Sequence, residues 1–99
     1  MALRLYVSPE AEADLTAAAL WYTEQNPERD LGVELLQEFT DVLDQVCENP
    51  LLFAVYDGSV RRALLRRFPY AIYYETEPRR VVVLAFMHMK REPDIWRER

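Results

Sequence analysis

The sequence is poor in the side chains that most often build a reactive centre. It holds one cysteine, Cys47, and one histidine, His88, among 99 residues. A single cysteine excludes an internal disulfide, and the pair is too small a set for a histidine–cysteine metal site. A cysteine–histidine nucleophile would need the two side by side. Cys47 instead falls in a helical pattern beside Val46 and reads as a buried structural thiol. The two glycines cannot form a glycine-rich phosphate loop. No low-complexity run or repeat is present, so disorder is not expected over most of the length. The longest apolar run, residues 81–89, is too short to span a bilayer and contains His88. Residues 1–8 lack the basic start and long apolar stretch of a secretion signal. These absences predict a soluble cytoplasmic protein with no cofactor.

What is present can build one core. Hydrophobic residues make up 51% of the chain and aromatics 12%, enough for a single domain over residues 1–99. The net charge of −5 conceals a polarity. Residues 1–58 hold twelve acids and two bases, Arg4 and Arg29, whereas residues 59–99 hold five acids and ten bases. The halves therefore stand at −10 and +5. Such a split offers one face to solvent and another to an anionic partner, or else the two halves attract each other in the fold.

Leu3, Leu5 and Val7 alternate with polar or small residues, as in a short half-buried strand. Ser8-Pro9 then opens a helix, with Glu10, Glu12 and Asp14 where the helix dipole favours negative charge. Its apolar stripe is Ala11, Leu15, Ala18, Ala19 and Tyr22, and Asn26-Pro27 stops it. A second helix is expected over residues 28–48, with Leu35, Phe39, Val42, Leu43 and Val46 as its stripe. Glu34, Glu38, Asp41 and Glu48 are expected to face solvent, and Gly32 blurs the start. The short turn between the helices predicts an antiparallel hairpin. Residues 51–58 read as an apolar loop folded over one end of the core, with Phe53 a candidate for contact with a second copy. Strands are expected over residues 60–67, 70–76 and 80–88. The last is apolar at every position from Val81 to Phe86, so it is expected to be central and buried on both faces. The result is an α+β fold, β-α-α-β-β-β, with an antiparallel-rich sheet of about four strands and a helical hairpin on one face.

Two clusters have chemical potential. Along an extended strand Arg62 and Arg66 would point one way and Arg61 and Arg67 the other, so the core cannot hold them all. A guanidinium fork suits phosphate or carboxylate, but charge along an edge strand also prevents aggregation. The second cluster is the run from His88 through Lys90 and Arg91 to Trp96. A histidine such as His88 could move a proton in RNA cleavage, with Lys90 and Arg91 stabilising a phosphorane-like state and Arg66 a further catalytic candidate. The plainer possibility is that His88 is a satisfied strand end and Trp96 pins the tail.

At this point a pattern emerges. Val7-Ser8-Pro9-Glu10-Ala11 followed by an acidic helix resembles the opening of RelE/ParE family toxins. Residues 61–74, with Phe68-Pro69-Tyr70 followed by Ile72 and Tyr74, are similar to that family's second and third sheet strands. His88-x-x-Arg91-x-Pro93-x-x-Trp96 resembles its closing motif, most like the ParE branch. The three motifs stand in order over nearly the whole chain. The resemblance implies the β-α-α-β-β-β fold and a type II toxin held by a cognate antitoxin in a hetero-oligomer. It implies one of two activities. RelE-like members cleave mRNA on the ribosome with basic residues and a C-terminal tyrosine or histidine, whereas ParE-like members poison DNA gyrase without that set. Here Trp96 stands where a nuclease would carry tyrosine, no lysine-rich stretch is evident, and the chain is acidic, which weakens a grip on RNA. The expectation is therefore a gyrase inhibitor, the alternatives being an mRNA endonuclease or a toxin-fold binding module with little activity. The implied partner surface is Arg61, Arg62, Arg66, Arg67, Lys90, Arg91 and Trp96, with antitoxin carboxylates near the arginines of the later strands.

Overall fold

The computed structural model describes residues 3–90. Its elements run β1 (Arg4–Val7), α1 (Pro9–Gln25), α2 (Leu31–Glu48), β2 (Val55–Asp57), β3 (Val60–Leu64), β4 (Tyr70–Thr76) and β5 (Arg80–His88). The strands form one mixed sheet in the order β1-β5-β4-β3-β2. β1 runs parallel to β5, and every other pairing is antiparallel.

The helices obey the local rules. Ser8 caps α1: its Oγ accepts the Ala11 N–H at 3.1 Å, and Pro9 follows at the first helical position. The Ser8 hydroxyl also donates to the Leu84 carbonyl at 3.2 Å, so one side chain ties helix start to sheet. Both apolar stripes turn inward. Leu35, Phe39, Val42, Leu43 and Val46 of α2 are buried with Ala11 and Ala18 of α1, and Leu15, Ala19 and Tyr22 pack at the margin. Cys47 is buried, and burial with the nearby Asp44 pushes its thiol up, as an inert structural cysteine requires. The hairpin closes tightly at Gly32, where an added Cβ would lie 2.6 Å from the Ala19 carbonyl oxygen.

Both helices cover one face of the sheet, meeting Ala63, Ile72, Tyr74, Val81, Val83 and Phe86. The opposite face carries a second cluster of Val60, Ala71, Tyr73, Ala85 and Met87, with Tyr56 and Leu84 against it.

Phe53 of the apolar loop turns inward, its ring edge-on to Tyr74 at 6.5 Å, while Leu51 and Leu52 stay exposed. Three expectations are corrected. The sheet has five strands, because Val55–Asp57 of the apolar loop adds to β3. The second helix starts at Leu31, since Arg29 N–H turns back to the Asn26 carbonyl. The centre of the sheet is β4, and β5 lies between β1 and β4.

Strand β5 is also not buried evenly. Tyr74 faces Val83 and Tyr73 faces Ala85, leaving Leu84 as an extra residue. This β-bulge reverses the alternation of side chains. Val81 and Val83 point to the helices before it; Phe86 does so after it. Leu84, Ala85 and Met87 take the other face. Val82 and Leu84 remain half exposed.

Candidate functional site

The arginines on and after β3 were expected to share one strand, but β3 ends at Leu64. Leu65 N–H donates to the Tyr70 carbonyl at 3.0 Å, which closes the chain around Phe68-Pro69 and takes Arg66 and Arg67 off the strand. The four side chains therefore meet four environments. Arg61 lies on the helix face, where its Nη1 donates to the Phe53 carbonyl at 2.6 Å. Arg62 lies on the opposite face, 4.8 Å from the centre of the Tyr56 ring. Arg67 turns to α2, with Nη1 3.0 Å from a Glu34 oxygen and Nε 3.6 Å from Glu38. The Arg66 guanidinium has no ion-pair partner among the described residues and borders a groove of about 410 Å³ with Glu38, Asp41, Phe53 and Leu64.

Glu38 organises this corner, and here the expectation of a solvated glutamate is overturned. It is 9% exposed. Its carboxylate accepts the backbone N–H groups of both Arg66 and Arg67. Two donors and one guanidinium compensate the loss of water that burying a carboxylate entails. No heptad or stripe argument isolates this glutamate, because its donors lie in a turn 28 and 29 residues further on.

His88 sits elsewhere. Past the bulge, at the end of β5, it stands edge-on to Tyr70 at 5.1 Å, and Tyr70 stacks on Phe86 at 4.8 Å. It joins Ala13, Ala17, Trp21, Tyr70 and Phe86 around a groove of about 340 Å³ between α1 and the sheet. The backbone N–H of Lys90 donates to His88 Nδ1 at 3.1 Å. That contact assigns the ring proton to Nε2 in the neutral form. Asp14 of α1 lines the same groove and accepts the Phe86 N–H at 3.2 Å. Lys90 is exposed, and Arg91 and Trp96 lie outside the described residues. The groove at His88 and the groove at Arg66 share no lining residue.

Tyr74 is strongly perturbed. It is fully buried, its hydroxyl donates to the Pro50 carbonyl at 2.7 Å, and burial pushes its pKa up to about 12 against the pull of the Arg61 charge. It holds the loop after α2 onto the sheet.

Sequence reading did not single out Arg4, Arg79 and Arg80. Strand register brings them together: Arg4 pairs with Arg80, and Arg4 N–H donates to the Arg79 carbonyl at 3.1 Å. Arg4 is far in sequence from the adjacent Arg79 and Arg80, and only the parallel pairing of β1 with β5 reveals the cluster.

The architecture has close parallels. A chain from the chromosomal ParDE toxin–antitoxin system of Pseudomonas aeruginosa superposes with a TM-score of 0.75 at 17% identity, covering 87% of this chain and 95% of that one. A chain from the RelBE2 toxin–antitoxin complex of Mycobacterium tuberculosis gives 0.60 at 16% identity, covering 89% and 99%. Curated protein sequences give no significant match. A family model described as the ParE toxin of the type II toxin–antitoxin system parDE matches residues 5–93. With nearly its whole length matched and the fold in agreement, the chain belongs to the ParE toxin family and is a type II toxin of the ParE/RelE kind.

Proposed function

We propose that this toxin acts in the cytoplasm by binding DNA gyrase, and that a protein antitoxin holds it inactive until released. The observation that supports the reading is the separation, among the described residues, of His88 from the arginines of β3 and of the turn after it. His88 faces the α1 groove, Arg66 the α2 groove, and Arg62 the far face of the sheet. Phosphoryl transfer requires a proton donor, a proton acceptor and a cation around one phosphate. Stoichiometric inhibition of an enzyme requires only a complementary surface. The chains compared above come from toxin–antitoxin systems, which supports an antitoxin partner here.

Purified protein in a gyrase supercoiling assay tests the target. The expected result is loss of supercoiling at near-stoichiometric toxin, retained by His88→Ala. Unimpaired gyrase, together with cuts at ribosomal A-site codons in primer extension from induced cells, would overturn the reading in favour of a nuclease. Co-expression with the product of a small neighbouring gene tests the antitoxin: the two should purify as one complex, and induction should then be harmless.

A further inference from the structure

We propose that His88 is a proton-sensitive latch at the end of β5. Neutral, it holds the backbone of Lys90; protonated, it releases that backbone and turns into the groove beside α1, toward Asp14. The inference rests on the fold and is independent of the choice of target.

The neutral ring fixes the point where the chain leaves the sheet. His88 is half-buried, and its Nδ1 accepts the Lys90 N–H at 3.1 Å. One residue earlier, the Met89 N–H donates to the Pro69 carbonyl at 2.8 Å. These two bonds set the path of the chain past β5. An imidazolium carries hydrogen on both ring nitrogens and has no acceptor left. Protonation therefore sets two donors against each other at Lys90, and only the Pro69 contact still holds the exit.

The groove offers the cation a partner. Its α1 wall carries Asp14, which is half-buried and accepts the Phe86 N–H at 3.2 Å. A carboxylate keeps its charge when it accepts one N–H, and it has several acceptor positions. The groove, about 340 Å³, is large enough for an imidazole ring. Trp21 and Tyr70 line it beside His88, and aromatic faces attract a cation.

The titratable and charged groups around His88 are few among the described residues. Asp14 faces it from α1, Tyr22 of α1 and Tyr70 of β4 present rings, and Lys90 follows on its own chain. Glu10, one helical turn before Asp14, is exposed and does not line the groove. Tyrosine hydroxyls are uncharged near neutrality. Asp14 therefore favours the cation, while Lys90, which is exposed, opposes it through solvent. Any contact that a partner makes with this groove, or with the chain just past it, thereby becomes sensitive to pH in the range where histidine titrates.

The test is an NMR titration of isotope-labelled full-length protein from about pH 8 to about pH 5, the window in which histidine changes charge. At the alkaline end the ring nitrogens should show a proton on Nε2 and none on Nδ1. On acidification the Lys90 amide should move upfield as it loses its acceptor, and the Trp21 indole N–H should shift with the same midpoint as the ring. Asp14→Asn, which can still accept the Phe86 N–H, should lower that midpoint by about half a pH unit, the size of one partly exposed ion pair. His88→Asn, whose Oδ1 can stand where Nδ1 stood, should keep the Lys90 amide at its alkaline position and abolish its response to acid. The Phe86 amide and the core amides of β4 serve as the check that each variant is folded. The proposal fails if the neutral ring carries its proton on Nδ1, or if the Lys90 amide or the Trp21 indole ignores the ring's titration. It fails equally if Asp14→Asn leaves the midpoint in place, or if the Lys90 response survives in His88→Asn.

Discussion

Replacing Glu38 with alanine removes the single acceptor shared by the Arg66 and Arg67 amides. A hydrogen bond to a charged acceptor is worth about 1.5–3 kcal/mol, and a donor left unsatisfied costs about 1–3 kcal/mol. Both arginines are exposed, so water can reach their amides in the variant and the lower ends of those ranges apply. The ion pair with Arg67, whose side chain is more than half exposed, adds at most about 1 kcal/mol. The expected loss is about 2–4 kcal/mol, a large share of the roughly 5–15 kcal/mol that holds a domain together. Glu38→Gln, which keeps one acceptor oxygen, should lose about half as much. Urea unfolding measures this as a lower midpoint at unchanged slope, and hydrogen exchange should locate it as faster exchange at Arg66 and Arg67. Glu34→Ala is the control, because Glu34 meets only the half-exposed Arg29 and Arg67 side chains and should cost under about 1 kcal/mol. If Glu38→Ala stays within about 0.5 kcal/mol of the parent, or if Glu34→Ala equals it, the assignment of Glu38 as the organiser of this turn is wrong.

Three further outcomes follow from the geometry. Tyr74 keeps its proton in the fold up to about pH 12 but in the unfolded chain only to about pH 10. Its contribution is therefore whole below pH 10 and falls by about 2–3 kcal/mol as pH rises to 12, so urea midpoints should drop across that window. Tyr74→Phe should cost about 1 kcal/mol at neutral pH and flatten the alkaline fall; an unchanged fall would place its origin elsewhere. Gly32→Ala should lower the melting temperature although alanine favours helix by about 1 kcal/mol, because the new Cβ meets the Ala19 carbonyl oxygen and Thr23 Oγ1. A rise in melting temperature would mean that the hairpin can open without loss. Ser8→Ala should cost about 1–2 kcal/mol in denaturant unfolding, since one hydroxyl both caps α1 and holds Leu84; a neutral result would count against that double role.

The sequence made the periodic parts of the molecule legible. The stripes of α1 and α2 and the cap at Ser8-Pro9 are short-range patterns, and they appear where the spacing places them. The motif around Phe68-Pro69-Tyr70 carried the family, which the family match and the fold bear out. What stayed hidden depends on partners distant in the chain. β2 forms because three residues of an apolar loop find β3, and no alternation announces a strand so short. The end of β3 at Leu64 is set by the Leu65–Tyr70 backbone bond, so alternation carried through to Arg67 gave the last two arginines the wrong setting. Glu38 was hidden for the same reason, since its donors are in that turn.

The polar split of charge can now be divided into what the fold consumes and what it leaves. The acidic helices and the basic strands do attract each other: Glu34 and Glu38 take up Arg67, and Glu34 also takes up Arg29. Arg61 is held by a carbonyl and Arg80 by Glu77. That leaves Arg4, Arg66, Arg79 and Lys90 without ion-pair partners among the described residues, with Arg62 resting on an aromatic ring. These remaining cations are spread over both faces and two ends of the sheet. The bulge at Leu84 sends His88 to yet another place, the groove beside α1. This dispersal among the described residues fits the proposed reading, in which several stretches of another protein are held. Neutralising any single arginine should therefore weaken a partner's grip in one region and leave the others in place.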